Sequence, residues 1–130
     1  MSRENVKLIE RVLELAQRNP EALRGALDDA VEWEVPFFPD AARLHGPGSV
    51  MDFFRSLVGT FDDWGYEVGE VIDAGDSVIA HIHQWGRGKG SGATVDQHFW
   101  QIWTVRDTKV VRVTHRLEMP EALEAVGLRE

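Results

Sequence analysis

Hydrophobic residues near the N-terminus recur at helical spacing, which predicts an amphipathic first helix. The residues on its apolar face are Val6, Ile9, Leu13 and Ala16. Asn19 and Pro20 are typical of a helix start, because Asn caps free amides and Pro lacks one. We therefore expect a short second helix, closed by Asp28 and Asp29.

From position 30 the hydrophobic period changes to two, which predicts a strand with one buried side. The alternating apolar positions are Val31, Trp33 and Val35. Pro36 is expected to end this strand, and the Pro- and Gly-rich residues 36–48 are interpreted as a flap over a cavity. Ser49 is predicted to cap a third helix that runs to Phe61.

The pattern of the remaining residues predicts strands, followed by a short C-terminal helix that starts at Pro120. The predicted strands cover residues 66–73, 77–86, 93–105 and 109–118. The glycines of residues 86–92 precede a strand and not a helix, so they favour a flexible hairpin tip over a phosphate-binding loop. Long strands joined by short turns are antiparallel, so we predict one α+β domain over residues 1–130, with a curved sheet wrapped on helices.

The composition and net charge of the chain disfavour some classes of binding partner and exclude thiol chemistry. The 130 residues carry a net charge of −8 and no cysteine. Excess negative charge disfavours nucleic acid and membrane surfaces as partners, and the lack of thiols excludes disulfides and cysteine nucleophiles. The N-terminal segment lacks the apolar run of a signal peptide, so we expect a cytoplasmic protein whose mature chain begins here.

Four short motifs, in this order and spacing, resemble the SnoaL-like family of the nuclear-transport-factor-2-like (NTF2-like) superfamily. They are IDAGD at 72–76, GRGKGSG at 86–92, WTVRD with KVVR across 103–112, and EALEAVGL at 121–128. The resemblance implies an NTF2-like cone, in which N-terminal helices pack on a curved, mainly antiparallel sheet and enclose a pocket. It also implies a homodimer formed through the sheet, and no cofactor.

Three enzyme groups that share this fold can be compared residue by residue. Ketosteroid isomerases place a catalytic Asp before a proline at the end of the first strand, where this chain has Val35. Epoxide hydrolases use an Arg and two Asp at positions that correspond to Ile82, Gln84 and His115. Polyketide cyclases carry an acid/base Asp at the position of His115. The resemblance therefore implies isomerase, cyclase or hydrolase chemistry with a changed proton carrier.

His115 is the main candidate for a catalytic base. On period two it shares a strand face with Val111 and Val113, and burial would keep its imidazole neutral and able to accept a proton. We expect it to act on a small hydrophobic carbonyl or epoxide compound, with Gln84 and Gln101 polarising the oxygen. The alternative is a core histidine bonded to a backbone carbonyl.

A set of aromatic residues is expected to hold this small hydrophobic ligand, although plain core packing is the competing interpretation. The predicted ligand-binding residues are Trp33, Phe37, Phe54, His83 and Trp103. Two other functions stay open: a ligand-binding protein without activity, and an interaction module that uses the outer sheet face.

His81 and His83 share one side of their strand, and Ile82 and Gln84 share the other. Whichever pair faces inward lines the pocket, and the predicted register places the histidines on the outer, dimer-forming face. With His98 on the next strand they have the spacing of a metal site. We expect no metal there, because no acidic partner is evident in the sequence.

Overall fold

The structure is a computed structural model that describes residues 2–35 and 42–128. The helices are α1 (Ser2–Arg18), α2 (Glu21–Ala26), α3 (Gly46–Gly59) and α4 (Met119–Ala125). The strands are β1 (Leu27–Val35), β2 (Ala42–His45), β3 (Phe61–Ala74), β4 (Ser77–Gly88), β5 (Thr94–Arg106) and β6 (Lys109–Arg116). In the described residues no helix is long and apolar enough to cross a membrane.

The six strands form one curved sheet in the order β2-β1-β6-β5-β4-β3. All neighbouring strands are antiparallel except β1 and β6, which run parallel and pair Trp33 with Val113. The chain can place β1 beside β6 because helix α3 and three long strands separate the two in sequence. The predicted α+β cone with a mainly antiparallel sheet is confirmed.

The inner face of the sheet packs against α1, α2 and α3. Its core contains Ile9 of α1, Val50 of α3 and Trp33 of β1, all at most 1% exposed. Helix α4 packs on the opposite, outer face, where Ala122 contacts Ile79 and Ile102. The outer face beyond α4 carries polar and aromatic side chains.

Several element boundaries differ from the sequence-based prediction. β1 begins at Leu27, because Leu27 is buried and pairs with Val110, so Asp28 and Asp29 lie in the strand and do not close a helix. α3 begins at Gly46, and Pro47 occupies its first turn without a side-chain cap. Ser49 therefore lies inside the helix, and the prediction that it caps α3 was wrong.

The β3–β4 hairpin is longer at its open end, away from the turn, than the sequence predicted. β3 begins at Phe61, at the position where the third helix was expected to end, and a register shift follows Asp62. Gly86 and Gly88 lie within β4 and not in a flexible tip. A side chain at Gly86 would come within 2.9 Å of the Phe61 ring, so this glycine provides the space in which that ring lies. In the turn between β4 and β5, the glycines with positive φ are Gly90 and Gly92.

Candidate functional site

An apolar cavity of about 80 Å³ lies between the three N-terminal helices and the inner sheet face. The helices contribute mostly aliphatic side chains, and the sheet contributes mostly aromatic rings and two amides. The helical lining includes Leu13, Leu23, Met51 and Phe54. The sheet lining includes Trp33, Trp64, Tyr66, Gln84, Phe99, Gln101 and Trp103. We call this the larger cavity.

A smaller cavity of about 40 Å³ adjoins it and reaches His115. The two cavities share five lining residues: Trp33, Phe54, Gln84, Phe99 and Gln101. Because the shared residues separate one space from the other, a movement of these side chains would connect His115 to the larger cavity.

Trp33 is the central aromatic residue of the site. Its ring meets the rings of Phe54 and Trp103 edge to face, at centroid distances of 5.2 and 5.3 Å. Its centroid lies 6.0 Å from that of His115. Edge-to-face packing holds the rings of Trp33, Phe54 and Trp103 in place, so this part of the cavity wall is preformed.

A chain of hydrogen bonds connects the indole of Trp103 to the backbone of β1. Trp103 Nε1 donates to Gln101 Oε1 over 3.0 Å, which orients the amide so that Gln101 Nε2 faces His115 Nε2 at 3.3 Å. His115 Nδ1 lies 2.8 Å from the backbone carbonyl oxygen of Glu34. A carbonyl only accepts, so His115 carries its proton on Nδ1 and its Nε2 accepts from Gln101.

Burial lowers the pKa of His115 to about 4, against an ordinary value of 6.5. The hydrogen bond to Glu34 opposes this shift, and the positive charge of Arg116 adds to it. The oriented amide of Gln101 acts in the same direction as burial, since a protonated Nε2 would face an N–H donor. His115 is therefore neutral near pH 7.

Two indole N–H groups are buried without a hydrogen-bond partner among residues 2–35 and 42–128. They belong to Trp33 and Trp64. A buried donor without an acceptor costs roughly 1–3 kcal/mol, and nearly all such groups in proteins are satisfied. Both rings also line the larger cavity. An acceptor atom that reached either N–H group from the cavity would remove this cost.

The structure brings most of the predicted site residues together. Five of them line the larger cavity: Trp33, Phe54, Gln84, Gln101 and Trp103. His115 lines the smaller cavity, and its bond to Glu34 also matches the alternative of a core histidine held by a backbone carbonyl. Phe37 lies outside the described residues.

His83 does not line either cavity, contrary to its predicted place among the ligand-binding residues. In β4, Ile82 and Gln84 face the larger cavity, so the alternating side chains of His81 and His83 point to the outer face. This settles which side of the strand faces the pocket. The expectation that no acidic group lies near these histidines was also wrong, because the strand register places Glu67 opposite His83.

Three aromatic residues of the larger cavity were not predicted from the sequence: Trp64, Tyr66 and Phe99. Phe99 could have been found, because it alternates in phase with Gln101 and Trp103 on one strand. Trp64 lies next to a register shift in β3, so simple alternation does not predict the direction of its side chain. Tyr66 donates from its hydroxyl to the Leu13 carbonyl over 2.6 Å, and burial raises its pKa to about 12.

Solved structures with the same architecture are numerous. An NTF2-like protein from Burkholderia thailandensis is 21% identical, with a TM-score of 0.78, and the match covers 92% of this chain and 95% of that one. A putative SnoaL-like polyketide cyclase from Jannaschia sp. is 18% identical with a TM-score of 0.75, covering 97% and 93%. A protein with a ketosteroid isomerase-like fold from Catenulispora acidiphila, in complex with trimethylamine, is 16% identical with a TM-score of 0.73, covering 92% of each chain.

These identities are low enough that the likeness concerns the fold alone. No curated protein sequence matches the chain. A sequence model of the SnoaL-like domain, in contrast, matches residues 9–113. This range includes every residue that lines the two cavities except His115. The chain belongs to the SnoaL-like domain family.

Proposed function

We propose that this protein binds a small apolar compound that carries a hydrogen-bond acceptor, such as a ketone, in the larger cavity. The observation that carries the proposal is that the indole N–H groups of Trp33 and Trp64, two residues of this largely apolar wall, have no partner among the residues that the structure describes. A carbonyl oxygen would accept from one of them, and the ligand's hydrocarbon part would contact Leu13, Met51 and Phe54.

The volume of the larger cavity limits the size of the compound. A buried water needs on the order of 10–15 Å³, so about 80 Å³ corresponds to roughly six waters. A single ring of roughly six or seven non-hydrogen atoms is of this size, whereas a steroid or a polycyclic polyketide is not. The shared wall of Gln84 and Gln101 adds room only if those amides move.

We further propose that His115 removes a proton from the carbon beside the carbonyl. The neutral imidazole would accept the proton at Nε2, the electron pair of the C–H bond would form the enolate, and N–H donors would stabilise the oxygen. Its pKa of about 4 does not prevent this role, because carboxylate bases of similarly low pKa perform carbon-acid chemistry. The bond from Nδ1 to the Glu34 carbonyl would hold the ring in place during transfer.

The second candidate is a protein that binds the same compound without changing it. The observation in its favour is that Gln101 already donates to His115 Nε2 and is itself held by Trp103. Proton transfer requires this amide to turn away, whereas binding in the larger cavity does not.

Titration with cyclohexanone tests the binding proposal through the indole N–H signals in a proton–nitrogen correlation spectrum. We expect a saturable downfield shift of the Trp33 or Trp64 indole proton, because it gains a hydrogen bond. The Trp33→Phe and Trp64→Phe variants assign the two signals. Methylenecyclohexane, which has the same shape without the oxygen, is the control ligand and should not cause the downfield shift. Indole signals that stay unchanged at saturating ketone, or that respond equally to both compounds, would refute the proposal.

A further inference from the structure

The outer sheet face carries a cluster of histidines and carboxylates that the cavity does not use. His83 and His98 are directly paired on β4 and β5, and their rings stack in parallel with centroids 4.2 Å apart. Asp96 lies two residues from His98 on the same side of β5, and its Oδ1 is 3.0 Å from His83 Nε2. Three potential ligand groups on two neighbouring strands therefore lie close together.

We propose that His83, His98 and Asp96 bind a zinc ion on the outer sheet face. One ligand atom from each of the three lies within 4.8 Å of the other two. Tetrahedral zinc with bonds of about 2.0–2.1 Å holds its ligand atoms about 3.3 Å apart, so small side-chain rotations would close the site. The Asp96 carboxyl is 69% exposed, which leaves it free to rotate and leaves the fourth position to water.

Both histidine ligands have a neighbour that could accept a hydrogen bond from the ring nitrogen that does not bind the metal. His83 Nδ1 lies 3.2 Å from Glu67 Oε1, so Glu67 would orient the ring while Nε2 binds the metal, as in carboxylate–histidine–zinc arrangements. His81 Nε2 lies 3.2 Å from His98 Nδ1 and would act in the same way on the second ring. A donor set of two imidazoles and one carboxylate binds zinc in preference to magnesium or calcium, which favour oxygen ligands.

The competing explanation is an ion-pair cluster without metal. Hydrogen bonds from His83 to Glu67 and Asp96 raise the pKa of His83, and a protonated ring would bridge the two carboxylates. The two explanations predict different responses to zinc, because an ion-pair cluster has no saturable affinity for it. The proposed zinc site and the cavity lie on opposite faces of the sheet. The zinc proposal and the ketone proposal can therefore be refuted independently of each other.

Calorimetric titration of the full chain with zinc chloride near neutral pH tests the site. We expect one zinc ion per chain and an affinity at least 10-fold weaker in His98→Ala and in Asp96→Asn. Glu67→Gln should weaken binding less than the ligand variants, because that residue only orients His83. Cobalt(II) should show the visible absorption of a tetrahedral ion with the wild type and lose it with His98→Ala.

His45→Ala is the matched control, because His45 is also exposed and also lies beside a carboxylate, 3.8 Å from Glu32. Its zinc affinity should equal that of the wild type. The proposal is overturned if zinc shows no saturable binding, or if His45→Ala weakens binding as much as His98→Ala does. Circular dichroism of each variant checks that the fold is retained.

Discussion

Between pH 6.5 and about pH 4 the protein is expected to lose on the order of 3 kcal/mol of unfolding free energy through His115 alone. The folded state holds this imidazole neutral, with a pKa of about 4, whereas the unfolded chain has the ordinary value of 6.5. As the pH falls through this window, His115 binds a proton in the unfolded state but stays neutral in the folded state. The stabilisation is therefore complete above pH 6.5 and is lost toward pH 4.

Urea unfolding followed by circular dichroism at several pH values across this window measures the effect. In the His115→Asn variant the loss of unfolding free energy across this window should be smaller by about this amount, because the side chain no longer titrates. Asn also retains a donor near the position of Nδ1, so the bond to the Glu34 carbonyl can persist. His45→Asn controls for the replacement of a histidine outside both cavities. Equal losses for wild type and His115→Asn would contradict a buried neutral histidine.

Exchange of the α-hydrogens of cyclohexanone for deuterium should be at least about 100-fold slower with His115→Asn than with the wild type. Asn cannot accept the proton that Nε2 would take, while the larger cavity and its indole donors are unchanged. The exchange is followed by proton NMR in heavy water, with ketone affinity measured in parallel.

The His45→Asn variant serves again as the control and should exchange at the wild-type rate, since it lies outside both cavities. If His115→Asn exchanges as fast as the wild type, His115 is not the base. If the wild type binds the ketone but does not accelerate exchange, the protein is a binder without activity, and the Gln101–His115 bond is structural.

Alternation along strands predicted the inner face of the site well. Trp33, Gln84, Gln101 and Trp103 all line the larger cavity because the side-chain period of two continues without interruption through these parts of the strands. The neutral state of His115 also followed from its apolar strand neighbours.

Features that depend on contacts between distant segments could not be predicted in this way. The pairing of Leu27 with Val110 extends β1 backward over residues with helical spacing. The register of β3 against β4 brings Glu67 to His83, and only the folded sheet reveals it. The expected homodimer through the outer face stays a prediction, and so does the role of Phe37.

A crystal structure of the protein with cyclohexanone tests the central claim most directly. The account predicts a ketone ring in the larger cavity, with its oxygen within hydrogen-bond distance of the Trp33 or Trp64 indole nitrogen. If His115 is the base, the amide of Gln101 will have turned from Nε2 and an α-carbon of the ketone will face that atom. A cavity that holds no ketone, or a ketone whose oxygen contacts neither indole, would contradict the account.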